Sequence, residues 1–278
     1  MLAPLCARQD LTSAQAGAAM AEILRGDATP AQIAAFAVGL RIKGETVEEM
    51  AGLVTSMLDF AEPVPLGPEL AAAVIDTCGT GGDRSGTINV STIAAFVAAG
   101  AGAKVCKHGN RAASSKAGSA DVLEALGVVI DLGPDGVAAC VAEAGMGFCF
   151  AARFHAALRH SGPVRRELGV PTVFNFLGPL ANPARVRRQV VGVSDPRMAE
   201  KVLGVLRANG AAHALVVYGH DGLDELTTAD TSTVFELRDG QVRTFVVDPA
   251  RDPARPGRPR RCAPARRAAR TPWTYPRW

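Results

Sequence analysis

Gly79-Thr80-Gly81-Gly82-Asp83 stands between an apolar run ending at Ile75 and a helix-like run beginning near Ser91. Glycines let backbone N–H groups converge with no Cβ in the way, and a helix opening just behind them adds the positive end of its dipole. Strand, glycine turn and helix in that order make a phosphate-binding candidate. Asp83 complicates this, because an anion beside an anion site requires a metal ion or an outward orientation. Two better-known templates fail. GxGxxG calls for glycine where Arg84 stands, and the Gly-Lys-Ser/Thr of a P-loop is absent.

Outward from the turn, residues 71–247 alternate short apolar runs with segments of helical length. Strands are expected at 73–76, 103–107, 128–131, 147–150, 189–193, 214–218, 233–237 and 242–247, and helices at 91–100, 119–126, 135–144 and 196–209. Several strands are apolar without alternation, as strands covered on both faces should be. The alternation predicts a largely parallel sheet covered by helices, with ligands outside the carboxyl ends of its strands. Before it, three helices each start on a threonine followed three residues later by Gln or Glu: Thr12/Gln15, Thr29/Gln32 and Thr46/Glu49. Each pair is a capping box, and Pro30 occupies a first helical position where its missing N–H costs nothing. The expected fold class is α/β, a small all-helical N-terminal domain (1–66) plus a larger, mostly parallel sheet domain covered by helices (67–248). Helices from about 151–180 are expected to join the first domain, and Glu62-Pro63-Val64-Pro65-Leu66-Gly67-Pro68 reads as the link.

With 278 residues, 48% of them hydrophobic, the chain has ample material for a core. Its net charge of +3 misleads, because residues 249–278 hold nine Arg and one Asp, which leaves the preceding body at −5. That tail also has seven Pro, both Trp residues and no Ile, Leu, Val or Phe. Its composition reads as a disordered basic extension, and nothing in the acidic body points to nucleic acid. No run of 18 apolar residues and no signal-peptide pattern is present, so neither a membrane nor export is expected. The six cysteines are scattered without a CxxC pair, which fits reduced thiols in a cytoplasmic protein.

Further candidate constellations follow. Asn89-Val90-Ser91-Thr92 puts an amide and two hydroxyls at a helix start, where they cap the helix or bind phosphate and metal. Lys107-His108-Gly109-Asn110-Arg111-Ala112-Ala113-Ser114-Ser115-Lys116-Ala117-Gly118-Ser119 again lies between strand and helix, and its cations, hydroxyls and glycines suit a polyanion. Arg165 is a candidate for pairing with a substrate carboxylate, although a lone helical Arg is more often a surface residue. Asp224-Glu225 offers adjacent carboxylates that suit Mg²⁺. His155, His160 and His213 fit no triad and read as packing or surface residues.

Together with Val173-Phe174-Asn175-Phe176-Leu177-Gly178-Pro179-Leu180, these motifs resemble, in order and spacing, the anthranilate phosphoribosyltransferases; the resemblance covers about residues 8–248. It implies transfer of phosphoribose from phosphoribosyl pyrophosphate (PRPP) to the anthranilate amine in tryptophan biosynthesis, by a homodimer that uses Mg²⁺. Carried over by resemblance, PRPP would be held by Gly79, Thr80, Gly81, Gly82, Asp83, Thr87, Asn89, Val90, Ser91 and Thr92. Lys107, His108, Gly109, Asn110, Arg111, Ala112, Ala113, Ser114, Ser115, Gly118 and Ser119 would complete that site. Gly79, Asn110 and Arg165 would face anthranilate, and Ser91, Asp224 and Glu225 would engage Mg²⁺. No general acid or base is assigned.

The chain departs from the family pattern at Pro171, where many relatives carry Arg, and after Val247, where relatives continue with helices and this chain has its Arg/Pro run. A frameshift near Pro249 that leaves the second domain incomplete is the expectation for that end. Two other readings stay open on sequence: a pyrimidine nucleoside phosphorylase, although those carry Lys-His-Ser beside their glycine turn, and an inactive truncated product.

Overall fold

A computed structural model describes residues 1–83, 85–112 and 117–251. All three capping boxes form as read. The hydroxyls of Thr12, Thr29 and Thr46 accept from the backbone N–H of Gln15, Gln32 and Glu49, whose side chains reach back to the caps of helices Ser13–Arg25, Pro30–Lys43 and Val47–Asp59. A short helix, Leu2–Cys6, precedes them and had no sequence signal. Their apolar stripes close on one another through Met20, Ile23, Leu40, Leu53 and Val54, all buried. The same core continues into Val164, Phe174 and Leu177 and into helix Pro196–Ala208 on the sheet.

Five strands form one sheet in the order β1 (Asp76–Gly79), β4 (Arg188–Gly192), β5 (His213–Gly219), β6 (Ser232–Arg238), β7 (Gln241–Val247). β2 (Val105–Gly109) and β3 (Met146–Phe150) pair with each other in parallel, and a parallel bridge from Ile75 to Val105 continues the sheet to β1. β1, β4 and β5 run parallel, whereas β6 and β7 form an antiparallel hairpin. Helix Val90–Gly100 follows the turn after β1, as expected.

Two strand expectations are corrected. The apolar residues near Val74 end a helix, Pro68–Ala73, and the strand begins three residues later on Asp76, Thr77 and Cys78, which are buried. Periodicity misplaced it because buried side-chain partners, rather than apolar character, sustain this strand. Residues 128–131 form no strand: Val129 is 65% exposed, and Ile130 instead packs with Ala120, Leu123 and Phe148. Among the described residues no helix is long and apolar enough to cross a membrane. The tail expectations fall almost wholly outside the described residues, which stop in the short turn Pro249–Arg251.

Candidate active site

The glycine turn, Asn89–Thr92, the described residues of the Lys107–Ser119 loop and Asp224-Glu225 all lie at or beyond the carboxyl end of a strand, whereas Arg165 and Val173–Leu180 lie on helices and turns between β3 and β4. β1 leads into the glycine turn, where Thr80 N–H donates to Gly192 O (2.9 Å), extending the β1/β4 ladder by one bond. Gly81 (φ 66°) and Gly82 (φ 84°) then leave in the left-handed region that glycine adopts at little cost. Ser194 pins the turn, its Oγ donating to Gly81 O (2.9 Å) and its N–H to Thr80 Oγ1 (3.2 Å). Asp83 Oδ2 accepts from Ser85 Oγ (2.5 Å), which lies 3.1 Å from Thr87 Oγ1. The awkward acid therefore helps build the loop.

Asn89 does not cap the helix it precedes; its Nδ2 donates to Ala117 O (3.3 Å) and ties the two loops together. Val90 begins that helix, and Thr92 is buried with its hydroxyl unpartnered among the described residues. Ser91 is engaged twice: its carbonyl accepts from Thr77 Oγ1 (2.8 Å) and its Oγ from Lys107 Nζ (3.2 Å). Lys107, only 1% exposed, also donates to Thr77 O. An ammonium has three N–H groups, so these contacts leave one to spare.

Beneath Lys107 lies Asp76, fully buried, accepting from Asn182 Nδ2 (2.9 Å) and His108 N–H (3.2 Å). Burial raises the Asp76 carboxyl, and the Lys107 charge opposes that rise. Burial, followed by neighbouring His155, pushes His108 down to about 3, so its ring is neutral. With Gly178 O 3.1 Å from Nδ1, the proton is assigned to Nδ1, which leaves Nε2 a buried acceptor without a described partner.

The loop after β2 closes on Asp121, whose Oδ2 accepts from Ala112 N–H (3.0 Å) and Gly118 N–H (2.8 Å). Asn110 stands just past Gly109, its Oδ1 accepting from Arg111 N–H (2.8 Å) and its carbonyl from Ser119 Oγ (3.3 Å). The Arg111 guanidinium pairs with Glu124 (2.8 and 3.0 Å) and Asp121 (2.9 Å) and lies over the Phe150 ring. Its charge is thus already matched within the protein. Ala113, Ser114, Ser115 and Lys116 lie outside the described residues.

From the β5–β6 connection, Asp224 reaches back to the turn and accepts Gly81 N–H at Oδ2 (2.7 Å). Burial and then Asp83 push its carboxyl up. Glu225 is pushed up to about 7 by burial and then by Asp224, while Lys107 and Ser91 N–H pull the other way. Crowded, desolvated carboxylates of this kind fit a divalent cation, which favours their charged form. No three His, Cys, Asp or Glu side chains among the described residues converge to hold an ion alone, so substrate or water oxygens would complete its shell.

Arg165, on helix Gly162–Leu168, lies over the Phe174 ring (5.7 Å) and has no carboxylate partner among the described residues; burial lowers its pKa. A desolvated guanidinium without an acid is suited to an anionic ligand. Sequence reading missed Asp76, Thr77, Asn182, Gly192 and Ser194, which shape the site from strand ends and from the segment after Leu180. Asn182 in Leu180-Ala181-Asn182-Pro183 offered a faint turn signal; the others offered none.

This fold and site define a two-part glycosyltransferase: residues 1–61 match the model of the "Glycosyl transferase family, helical bundle domain" and residues 71–269 that of the "Glycosyl transferase family, a/b domain". The chain is 57% identical over 250 residues to the anthranilate phosphoribosyltransferase of Salinispora arenicola, covering 90% of this chain and 70% of that protein. It is 58% identical over 232 residues to that of Roseiflexus castenholzii, covering 83% and 67%. Among solved structures, the Thermus thermophilus enzyme superposes with a TM-score of 0.83 at 41% identity, over 90% of this chain and 73% of that one. The Saccharomyces cerevisiae enzyme in complex with PRPP and Mg gives 0.79 at 29%, over 90% and 72%. The chain belongs to the anthranilate phosphoribosyltransferase family.

Proposed function

We infer that the chain transfers the phosphoribosyl group of PRPP to the amine of anthranilate, giving phosphoribosylanthranilate and pyrophosphate, in tryptophan biosynthesis. The observation that carries this reading is the charge pattern around Lys107. Asp224 and Glu225 call for a cation, while the remaining N–H of Lys107 and the start of helix Val90–Gly100 call for an anion. A magnesium pyrophosphate group answers both. Ser91, Asp224 and Glu225 would hold Mg²⁺, which supplies charge neutralisation of the leaving pyrophosphate when bound.

The chain's own residues do the rest. Gly79–Asp83, Thr87, Asn89, Ser91 and Thr92 hold ribose and pyrophosphate. Lys107, Asn110, Arg111, Gly118 and Ser119 surround the phosphates, with Arg111 held in place by Glu124 and Asp121. Arg165 pairs with the anthranilate carboxylate, and Asn110 and Gly79 flank the ring. The ribose C1–O bond to pyrophosphate breaks as the amine nitrogen bonds to C1 from the opposite face, and the amine proton passes to water or pyrophosphate. Holding the two reactants in line supplies much of the acceleration. No strong base is called for. The division at 1–66 and 67–248 belongs to the same proposal, as does a homodimer acting in the cytoplasm, for which sedimentation at the mass of two chains is the expected result.

Loss of anthranilate fluorescence tests the reaction. It is expected only when both PRPP and Mg²⁺ are present, and loss without PRPP, or persistence with all three components and folded protein, overturns it.

A further inference from the structure

Gly79 and Gly192 are register partners at the carboxyl ends of β1 and β4, and both have ordinary strand backbone angles, so neither is glycine for the sake of φ. Space explains them. A Cβ on Gly192 would stand 1.5 Å from the Asp224 carbonyl oxygen and 2.5 Å from its carbon, and one on Gly79 would stand 2.5 Å from Asp224 Oδ2. The paired glycines leave a flat seat on which the Asp224 main chain rests.

We propose that Gly192 is a positioning residue for the reaction: its missing side chain lets Asp224 settle on the sheet end, and through Asp224 it sets the glycine turn and the Glu225 carboxylate. The Asp224 side chain holds Gly81 N–H (2.7 Å), and Glu225 is the next residue, facing Lys107 and Ser91 N–H. The connecting loop has no slack with which to back away. Gly219 N–H donates to Leu223 O (2.8 Å), Thr227 Oγ1 to Asp221 Oδ2 (2.6 Å), and Thr227 N–H to Ser232 Oγ (3.0 Å). A methyl at Gly192 meets backbone and must displace both carboxylates, whereas one at Gly79 meets only the end of the Asp224 side chain and displaces its carboxylate alone.

The functional role rests on the PRPP reading, but the seat itself is testable without ligand. Amide hydrogen exchange is measured on Gly192→Ala, Gly79→Ala and, as a stability control, Val191→Ala, which opens the core on the opposite face. Gly81 N–H should lose protection in both glycine variants and keep it in Val191→Ala at equal thermal stability. Calorimetric titration with PRPP and Mg²⁺ should show about 100-fold weaker binding for Gly192→Ala, in line with the cost of ångström-scale misplacement, and little change for Val191→Ala. A protected Gly81 amide in the glycine variants, or equal weakening across variants of equal stability, overturns the proposal; if Gly192→Ala does not fold, Gly79→Ala decides it by the same amide. Wild-type protein that leaves anthranilate untouched while the glycine variants lose Gly81 protection would overturn the PRPP reading and keep the seat.

Discussion

Arg165 is the residue at which chemistry and structure are most easily set against each other, because its half-buried guanidinium stacks on Phe174 and meets no acid among the described residues. Arg165→Ala should raise the KM for anthranilate by about 100-fold, a loss of about 3 kcal/mol in charge-assisted hydrogen bonding. The KM for PRPP should stay within about twofold, since Arg165 is assigned no contact with PRPP. Steady-state kinetics with each substrate varied in turn checks this, and equal effects on both remove Arg165 from the anthranilate site. His108 makes a different prediction. Its folded pKa of about 3 lies below the ordinary 6.5, so the stability it contributes is present above pH 6.5 and lost as pH falls toward 3. The loss amounts to about 1.4 kcal/mol per pH unit over that window. Denaturant titrations from pH 7 to 4 should show a shallower acid decline for His108→Asn than for the wild type; parallel curves refute it. Asp76 keeps its bond from residue 108 in both proteins, since the donor is a main-chain N–H.

At the scale of elements, the capping threonines were legible because the signal is local: a hydroxyl and a Gln or Glu three residues apart need no tertiary partner. Glu49 shows where such reading stops. Besides closing its capping box it accepts Leu11 N–H (2.9 Å) and Lys43 Nζ (2.9 Å) and is wholly buried, so it joins two helices and the segment before them. Glu49→Ala should therefore cost about 2–4 kcal/mol, because it leaves buried Leu11 N–H without its acceptor and takes one of two carboxylates from Lys43, which keeps Asp10 (2.7 Å). Thr29→Ala, a cap alone, should cost about 1 kcal/mol. Urea denaturation distinguishes them, and comparable costs would mean that Lys43 escapes to solvent through its contact with Asp10. The strand Asp76–Gly79 illustrates the converse. Asp76, Thr77 and Cys78 carry no apolar pattern, and their partners Asn182, Ser91, Lys107 and Pro179 come from distant segments. The glycine turn beyond was still found, since glycine spacing is visible where buried polar pairing is not. Gly192 falls inside the apolar run expected as a strand at 189–193 and carries no signal of its own; its need is set by Asp224, which sequence does not place beside it.

Across the whole molecule, the helical segment and the sheet share one apolar core, from Met20 and Leu53 through Phe174 to Val202 and Val216. They should melt as one unit in spite of matching two separate family models. Met20→Ala and Val216→Ala are each expected to cost about 2–5 kcal/mol and to lower the same single calorimetric transition; two transitions moved separately would show independent halves.

The bond from Gly81 N–H to Asp224 joins residues 143 apart in the chain, and that from Asn182 to Asp76 joins residues 106 apart. Closing loops of this size precedes any reward from the contacts they make, and parallel pairing of β1 with β4 adds to the delay. The three capped helices, built on contacts a few residues apart, form early in any order of assembly. The bed for PRPP exists only once the most remote segments have met, so a refolding chain regains helical signal before it regains the capacity to bind.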